Sequence, residues 1–173
     1  MKRELATFGL LVGAGALVLW SQRAAGESTG ILSMPDITQD PASWPNGDQI
    51  GNVCHAIALE EGYNLGPGHA AFDLNNPGDL SPGDEHGFAT AGPAQWHGGS
   101  YIIHFATPND GWGALLAKFR AIAAGRSTHY SADWTWEQIG SVYAGDSETW
   151  ARNVAGYLGV DPGSTLSDYV GAL

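Results

Sequence analysis

The sequence predicts an α+β domain that is mostly α-helical, contains a small antiparallel sheet and is preceded by an N-terminal transmembrane helix. Three observations support this fold class. Residues 5–20 are apolar and carry no charge. Apolar residues recur at helical spacing over residues 49–61 and again after residue 110. Residues 63–107, in contrast, are rich in glycine and proline and contain only short extended pieces.

The N-terminal segment has the features of a membrane anchor. Lys2 and Arg3 precede the uncharged residues 5–20, which as a helix would span roughly 24 Å, slightly less than the ~30 Å hydrocarbon core. A cleaved signal peptide is the alternative, but Arg23 interrupts the small residues that a cleavage site would need. We therefore expect an anchor over residues 1–23.

The remainder of the chain divides into a linker and a domain. Residues 24–47 lack apolar periodicity and contain three prolines, which indicates a linker, and residues 48–173 form the domain. Beyond residue 24 the chain has four basic and seventeen acidic residues, so it lacks the positive surface that nucleic-acid binding requires. Its one cysteine, Cys54, excludes an intramolecular disulfide.

Four amphipathic helices are predicted within the domain. The first covers residues 49–61 and ends before Gly62, with an apolar face formed by Ile50, Val53, Cys54, Ile57 and Ala58. The other three cover the residues after Asp110 (as N-cap) up to Gly125, residues 135–143 with a capping box at their start, and residues 148–158. Residues 101–105 (YIIHF) are the clearest strand of the small sheet.

Glu61 is the residue of the first helix that departs from its pattern. Counting 100° per residue, Glu61 lies about 20° from Ile50, so a carboxyl group continues the apolar face, whereas Glu60 lies nearer its edge and reaches solvent more easily. Burial and the helix C-terminus both raise the pKa of a carboxyl group, as a general acid near neutral pH requires. The alternative is that Glu61 turns outward at a frayed helix end.

Several motifs in order resemble a known family. Residues 58–63 (ALEEGY), 75–80 (NNPGDL) and 88–90 (FAT), with a C-terminal stretch over residues 135–160, are similar to phage-associated lysozyme-like domains. These domains are muramidases and lytic transglycosylases that cut peptidoglycan. The resemblance covers about residues 50 to 165 and rests on the Glu-Gly-Tyr turn followed by the Asn-Asn-Pro-Gly loop.

The resemblance implies a lysozyme-like fold in which Glu61 ends a helix at the floor of a cleft. Its substrate-binding residues would lie on the turn, on the loop of the opposite wall and on a later helix: Tyr63, Asn75, Asn76, Gly78 and Tyr143. An Asn-Pro-Gly turn exposes backbone groups and an amide that suit sugar hydroxyls and acetamides. A plain structural turn and, for Tyr143, core packing are the alternatives.

Asp79 departs from the family pattern, which often has asparagine at that position. It is either the second carboxylate that a hydrolase uses on water or as a nucleophile, or an acid that only stabilises the turn. In the hydrolytic version Asp79 assists Glu61. In the transglycosylase version Glu61 acts alone, first as acid and then as base on the muramoyl 6-hydroxyl group.

The predicted partners are peptidoglycan glycan strands, a bilayer contacted through residues 5–20 and, by resemblance, virion structural proteins. No cofactor or metal ion is implied. The positive residues before the anchor favour a cytoplasmic N-terminus, so the domain would face the periplasm of a bacterial inner membrane. In a membrane-containing phage the same anchor would lie in the internal membrane of the virion.

Three competing hypotheses use other features of the chain. A thiol amidase or endopeptidase would pair Cys54 with one of the histidines His55, His69, His86, His97, His104 or His129. A zinc enzyme would use His86, His97 and His104 with Asp84, at a spacing that matches no metal motif. The third hypothesis is a glycan-binding or structural virion protein that keeps the shape without catalysis.

Overall fold

The structure, a computed structural model, describes residues 49–171. The predicted anchor (residues 1–23) and linker (residues 24–47) lie outside the described residues. Within residues 49–171, no helix combines the length and the apolar character that crossing a bilayer requires.

The described part is an α+β domain, mostly helical, with a two-stranded antiparallel sheet. This agrees with the predicted class. In chain order the elements are α1 (Gln49–Glu60), a 3-10 turn (Tyr63–Leu65), α2 (Ala70–Asp73), β1 (Gln95–His97), β2 (Ser100–Ile102), α3 (Pro108–Ala123), α4 (Trp136–Tyr143), α5 (Ser147–Leu158) and α6 (Leu166–Val170).

Helix α1 is the central helix of the core and packs against α3 and α5. Its predicted apolar face is confirmed, since all five residues of that face are buried. The helix ends one residue earlier than expected, at Glu60, although the Glu61 amide still donates to the Ile57 carbonyl oxygen at 2.9 Å. Gly62 follows with φ 76°, the left-handed conformation that ends helices and that glycine adopts without strain.

The start of α3 differs from the prediction that Asp110 is its N-cap. Thr107 is the N-cap, and its side-chain oxygen accepts from the Asp110 amide. Asp110 lies in the first turn, where its carboxylate accepts from the Thr107 hydroxyl at 2.6 Å. The prediction was wrong because Pro108 can open a helix. At the first helical position the backbone N–H has no partner within the helix, so proline, which lacks that N–H, is accepted there. The end of α3 is as predicted, with Gly125 in the left-handed region.

The last three helices are fixed by polar caps. The predicted capping box of α4 is confirmed between Thr135 and Gln138. Helix α5 starts at Ser147, capped by Asp146, close to the predicted start. Helix α6 was not predicted, although it opens with the same kind of box, between Thr165 and Asp168. Five residues are too few for a periodic pattern to be visible in the sequence.

The sheet is a hairpin whose first strand the sequence did not reveal. Strands β1 and β2 pair across a turn at Gly98 and Gly99, both with positive φ. The predicted strand at residues 101–105 is only partly correct, because regular pairing ends at Ile102. Beyond that point the chain pairs with a loop: the Ile103 amide donates to the Leu80 carbonyl oxygen at 2.9 Å.

Asn76 anchors that loop, which spans residues 74–80. Its side chain is fully buried, and its amide nitrogen donates to the carbonyl oxygens of Leu80 at 2.9 Å and Ile103 at 3.0 Å. Its amide oxygen accepts from the Leu80 N–H at 2.8 Å. A buried amide that satisfies three backbone groups ties the loop to the segment that continues β2.

We predict that Asn76→Ala lowers the free energy of unfolding by about 3 kcal/mol, roughly 1 kcal/mol for each lost hydrogen bond. Urea denaturation at constant pH measures this change. Asn64→Ala, at an exposed position of the 3-10 turn, is the matched control and should stay within about 0.5 kcal/mol of the wild type. Equal stabilities of the two variants would contradict the anchoring role.

Candidate active site

Glu61 lies directly after α1, and its carboxyl group is held by a residue from the other end of the domain. The helical phase of α1 and the left-handed Gly62 place the side chain where it is partly buried. Its Oε1 accepts a hydrogen bond from the indole Nε1 of Trp150 at 2.9 Å. Trp150 lies on α5 and is only 3% exposed, so the donor position is fixed by core packing.

The surroundings of Glu61 favour its neutral form. Burial raises the pKa of Glu61 from its usual value near 4.5 to about 7, and the negative charges of Asp79 and Glu60 act in the same direction. The hydrogen bond from Trp150 lowers the pKa but is outweighed. Among residues 49–171, the one side-chain donor to this carboxyl group is Trp150, which orients it without making the charged form favourable.

Asp79 is the second carboxyl group of the site and has an unusual backbone conformation. Its φ is 46°, in the left-handed region that residues other than glycine rarely adopt. Within residues 49–171, no hydrogen-bond partner meets its buried Oδ1. Burial raises the pKa of Asp79 to about 6, and the charge of His97 partly opposes this rise. Strain together with an unsatisfied acceptor is typical of functional positions.

Tyr143, at the end of α4, connects the segments that carry the two carboxyl groups. Its hydroxyl donates to the carbonyl oxygen of Gly78, the residue before Asp79. Its ring lies against Trp150, with 5.0 Å between centroids. Burial raises the pKa of Tyr143 well above its usual value, with the charge of Glu61 as the next cause, so the hydroxyl stays a donor.

Gly78 is required at its position by this close contact. A Cβ atom there would lie 2.6 Å from Leu115 Cδ1 and 2.8 Å from the Tyr143 hydroxyl oxygen. Any side chain would therefore displace either the core leucine or the tyrosine. The glycine of the Asn-Asn-Pro-Gly motif thus permits the approach of Tyr143 to the loop.

The remaining residues predicted to bind substrate have different surroundings. Asn75 is half-buried with φ 53°, and its amide donates to the Phe105 carbonyl oxygen at 3.1 Å. Asn76 is the buried loop anchor described above. The Tyr63 ring is buried in an aromatic cluster, 5.5 Å from Phe72 and 5.7 Å from Trp112 between centroids. The structure therefore brings together Glu61, Gly78, Asp79 and Tyr143, whereas Asn76 and Tyr63 pack in the core.

Glu60 is less buried than Glu61, as expected from its position nearer the edge of the apolar face of α1. Its Oε1 accepts from the side-chain amide of Asn153 at 3.1 Å. Burial raises the pKa of Glu60, the Asn153 hydrogen bond lowers it, and the charge of Asp146 raises it. The two neighbouring carboxyl groups therefore point to different partners on α5, and only Glu61 interacts with Asp79.

Two residues of the site were not identified from the sequence. Trp150 lies in the predicted helix over residues 148–158, but nothing in the sequence links it to a carboxyl group 89 positions earlier. His97, considered above only as a partner of Cys54 or a zinc ligand, ends β1, the strand of the hairpin that was not predicted. The hairpin also carries Trp96 and Tyr101, 64% and 57% exposed, directly opposite each other. The pleat turns both away from the face that carries the buried Ile102.

The structure also bears on the competing thiol and zinc hypotheses. Cys54 is fully buried within α1, where a nucleophile could not meet a substrate. Among the described residues, no three His, Cys, Asp or Glu side chains are grouped to hold a metal ion. Asp84 pairs instead with Lys118, and His104 Nδ1 lies 3.3 Å from Gln95 Nε2.

We predict that Glu61 makes the stability of the protein fall with pH. A carboxyl group whose folded pKa is raised stabilises the fold at low pH, and this contribution is lost as pH rises from about 4.5 to about 7. Between pH 4 and pH 8, the wild type should lose about 3 kcal/mol of unfolding free energy relative to Glu61→Gln. Denaturant unfolding at both pH values measures it. For the exposed control Glu137→Gln, the difference in unfolding free energy from the wild type should be the same at both pH values. If that difference is also the same at both pH values for Glu61→Gln, the prediction is wrong.

Comparison of the chain with protein-family models, with curated protein sequences and with solved structures gave no match.

Proposed function

We propose that this domain cleaves the glycan strand of peptidoglycan, with Glu61 as the general acid. The proposal rests on one observation above all: a buried carboxyl group with a pKa of about 7, oriented by a single indole N–H beside a second carboxyl group. Cleavage of a glycosidic bond needs an acid that is still protonated near neutral pH.

The two carboxyl groups have pKa values that differ in the direction an acid–base pair requires. Burial raises the pKa of both groups, the charge of His97 opposes the rise for Asp79, and the charge of Asp79 adds to the rise for Glu61. Glu61 is therefore the group that keeps its proton to higher pH. Such a pair can protonate a leaving oxygen with one member and act on water or on the sugar with the other.

In the proposed reaction, Glu61 protonates the glycosidic oxygen between N-acetylmuramic acid and N-acetylglucosamine. Asp79 then directs water to the anomeric carbon, or attacks that carbon to form a glycosyl ester that water hydrolyses with the Glu61 carboxylate as base. In both cases the product has a reducing end. In the alternative transglycosylation, the Glu61 carboxylate takes a proton from the muramoyl 6-hydroxyl group, and the 1,6-anhydro product is lighter by one water. The unsatisfied, partly charged Asp79 favours hydrolysis, because transglycosylation needs only one carboxyl group.

The substrate class follows from the motifs of residues 58–63 and 75–80, which resemble phage-associated lysozyme-like domains. In the structure these two segments carry the two carboxyl groups. The strongly acidic composition, with a net charge of −11, gives no bulk attraction to anionic wall polymers. Recognition would therefore depend on hydrogen bonds and stacking to uncharged sugar groups at the site itself.

We predict that Glu61→Gln lowers the rate of wall cleavage by about 10³-fold, because the amide cannot donate the proton that the leaving oxygen needs. Loss of turbidity of purified sacculi measures the rate. Glu60→Gln is the matched control, since its carboxyl group bonds Asn153 instead of Trp150, and it should keep most of the activity. Equal losses of activity in both variants would show that Glu61 is not the general acid.

Cys54→Ser gives a second control, directed at the thiol-enzyme hypothesis. A folded Cys54→Ser variant without activity would favour that hypothesis over a glycosidase. Unchanged activity is the result expected from the buried position of Cys54.

We predict a bell-shaped dependence of turnover on pH, with a maximum between about 6 and 7. The acid side follows ionisation of Asp79, and the alkaline side follows loss of the proton from Glu61. In Asp79→Asn the residual activity should lose the acid side, and its alkaline side should move to lower pH, because the charge of Asp79 no longer raises the pKa of Glu61. Rates that stay constant from pH 5 to pH 8 in the wild type would be inconsistent with these roles.

A further inference from the structure

Behind the site lies a buried lysine that the proposed chemistry does not use. Lys118, on α3, is only 7% exposed, and its ammonium group forms an ion pair at 2.8 Å with Asp84, whose side chain is 29% exposed. Removing a lysine from water is costly, and even a partly buried ion pair contributes little net stability compared with apolar residues of similar size. The position therefore calls for an explanation other than stability.

The ammonium group of Lys118 also contacts two tyrosine rings. It lies 4.9 Å from the ring centroid of Tyr143 and 5.0 Å from that of Tyr130, within the range of cation–π attraction. The two rings are themselves 6.5 Å apart between centroids. Lys118, Asp84 and Tyr130 thus form a cluster, here called the lysine cluster, against one side of Tyr143.

Tyr143 also contacts the residues that adjoin the two carboxyl groups. Its hydroxyl donates to Gly78 next to Asp79, and its ring packs on Trp150, which donates to Glu61. A displacement of the Tyr143 ring would therefore disturb both carboxyl groups at once. A charged group with a defined partner is suited to fixing that ring, because an ion pair has a specific geometry.

We propose that Lys118, held by Asp84, is a positioning residue that fixes Tyr143 and through it the relative placement of Glu61 and Asp79. This proposal rests on the proposed function, because the relative placement of the two carboxyl groups matters only if both act on the substrate. The ion-pair partner of Lys118 is Asp84, which is neither of the two carboxyl groups of the site. Lys118 acts through the tyrosine.

The decisive variant is Lys118→Met with Asp84→Leu in the full-length protein. Both charges leave together, so the net charge is unchanged, and replacing a buried pair by apolar residues is often neutral for stability. Displacement of Tyr143 should separate Glu61 from Asp79, whose charge raises the pKa of Glu61 by more than the Trp150 hydrogen bond lowers it. The pKa of Glu61 should therefore fall, by about 0.5, and turnover should fall about tenfold with KM little changed.

The pKa of Glu61 is read from the pH titration of side-chain carboxyl ¹³C resonances of labelled glutamate, with Glu61→Gln to assign the signal. The groups that act on Glu61 are Asp79, Glu60, Trp150 and Tyr143, and all of them are kept. The control Arg126→Met with Glu137→Leu removes one exposed charge of each sign and should leave the titration unchanged. An unchanged pKa and turnover in the buried double variant would overturn the proposal.

Asp84→Asn gives a second test if the double variant does not fold. Loss of a negative charge alone would lower the pKa of Glu61 whether or not Asp79 is charged, whereas displacement of Glu61 from Asp79 lowers it only while Asp79 carries its charge. The pKa of Glu61 should therefore fall when Asp84→Asn is made in the wild type and stay unchanged when it is made in Asp79→Asn. An equal fall in both backgrounds would overturn the proposal.

Failure of this inference differs from failure of the proposed function. If Glu61→Gln keeps full activity, the function is wrong, while the titration still shows whether Lys118 controls the placement of Glu61. If Glu61→Gln is inactive and the titration of the buried double variant is unchanged, only the positioning role is wrong.

Discussion

The hydrogen bond from Trp150 to Glu61 is the interaction on which the rest of the site depends. It joins the end of α1 to α5, two helices that pack against each other in the core. A buried carboxyl group is normally neutralised or bound by several donors. Here one donor fixes the orientation, while burial and the charge of Asp79 outweigh its effect on the pKa. Two or three donors would stabilise Glu61 as a carboxylate, and it could then not serve as the proposed general acid.

The second carboxyl group is placed by different means. Asp79 follows Gly78 in a loop whose backbone is fixed at Leu80 by Asn76 and at Gly78 by the Tyr143 hydroxyl. These contacts on both sides of Asp79 explain how an aspartate can occupy the left-handed region, which costs of order 1–3 kcal/mol. The buried Asn76 thus helps to place Asp79 from within the core, through its hydrogen bonds to the Leu80 backbone.

The sequence predicted what depends on local patterns. The phase of α1 placed Glu61 inward, and the glycines after α1 and α3 marked their ends, because these features depend on residues a few positions apart. The first strand of the hairpin was missed because it has only three residues, all of them exposed, which is too short for a periodic pattern to be visible. The contacts of Trp150 and Lys118 could not be predicted, since each joins residues far apart in the chain through packing alone. Asn76 shows the same limit: its residue type suited a sugar ligand and a buried clamp equally well.

The burial that raises the pKa values of the two carboxyl groups also lowers the stability of the domain when these groups ionise. The burial that keeps Glu61 protonated also makes its ionisation unfavourable, so the fold is weakened as pH approaches the range in which both carboxyl groups are charged. The compensating interactions lie outside the site: the apolar face of α1 buried against α3 and α5, the capping boxes of α4 and α6, and the satisfied amide of Asn76. Because these interactions contain no group that titrates between pH 6 and 7, they do not change with the protonation of Glu61. The domain can therefore keep two unfavourable carboxyl groups in place while one of them gains and loses a proton.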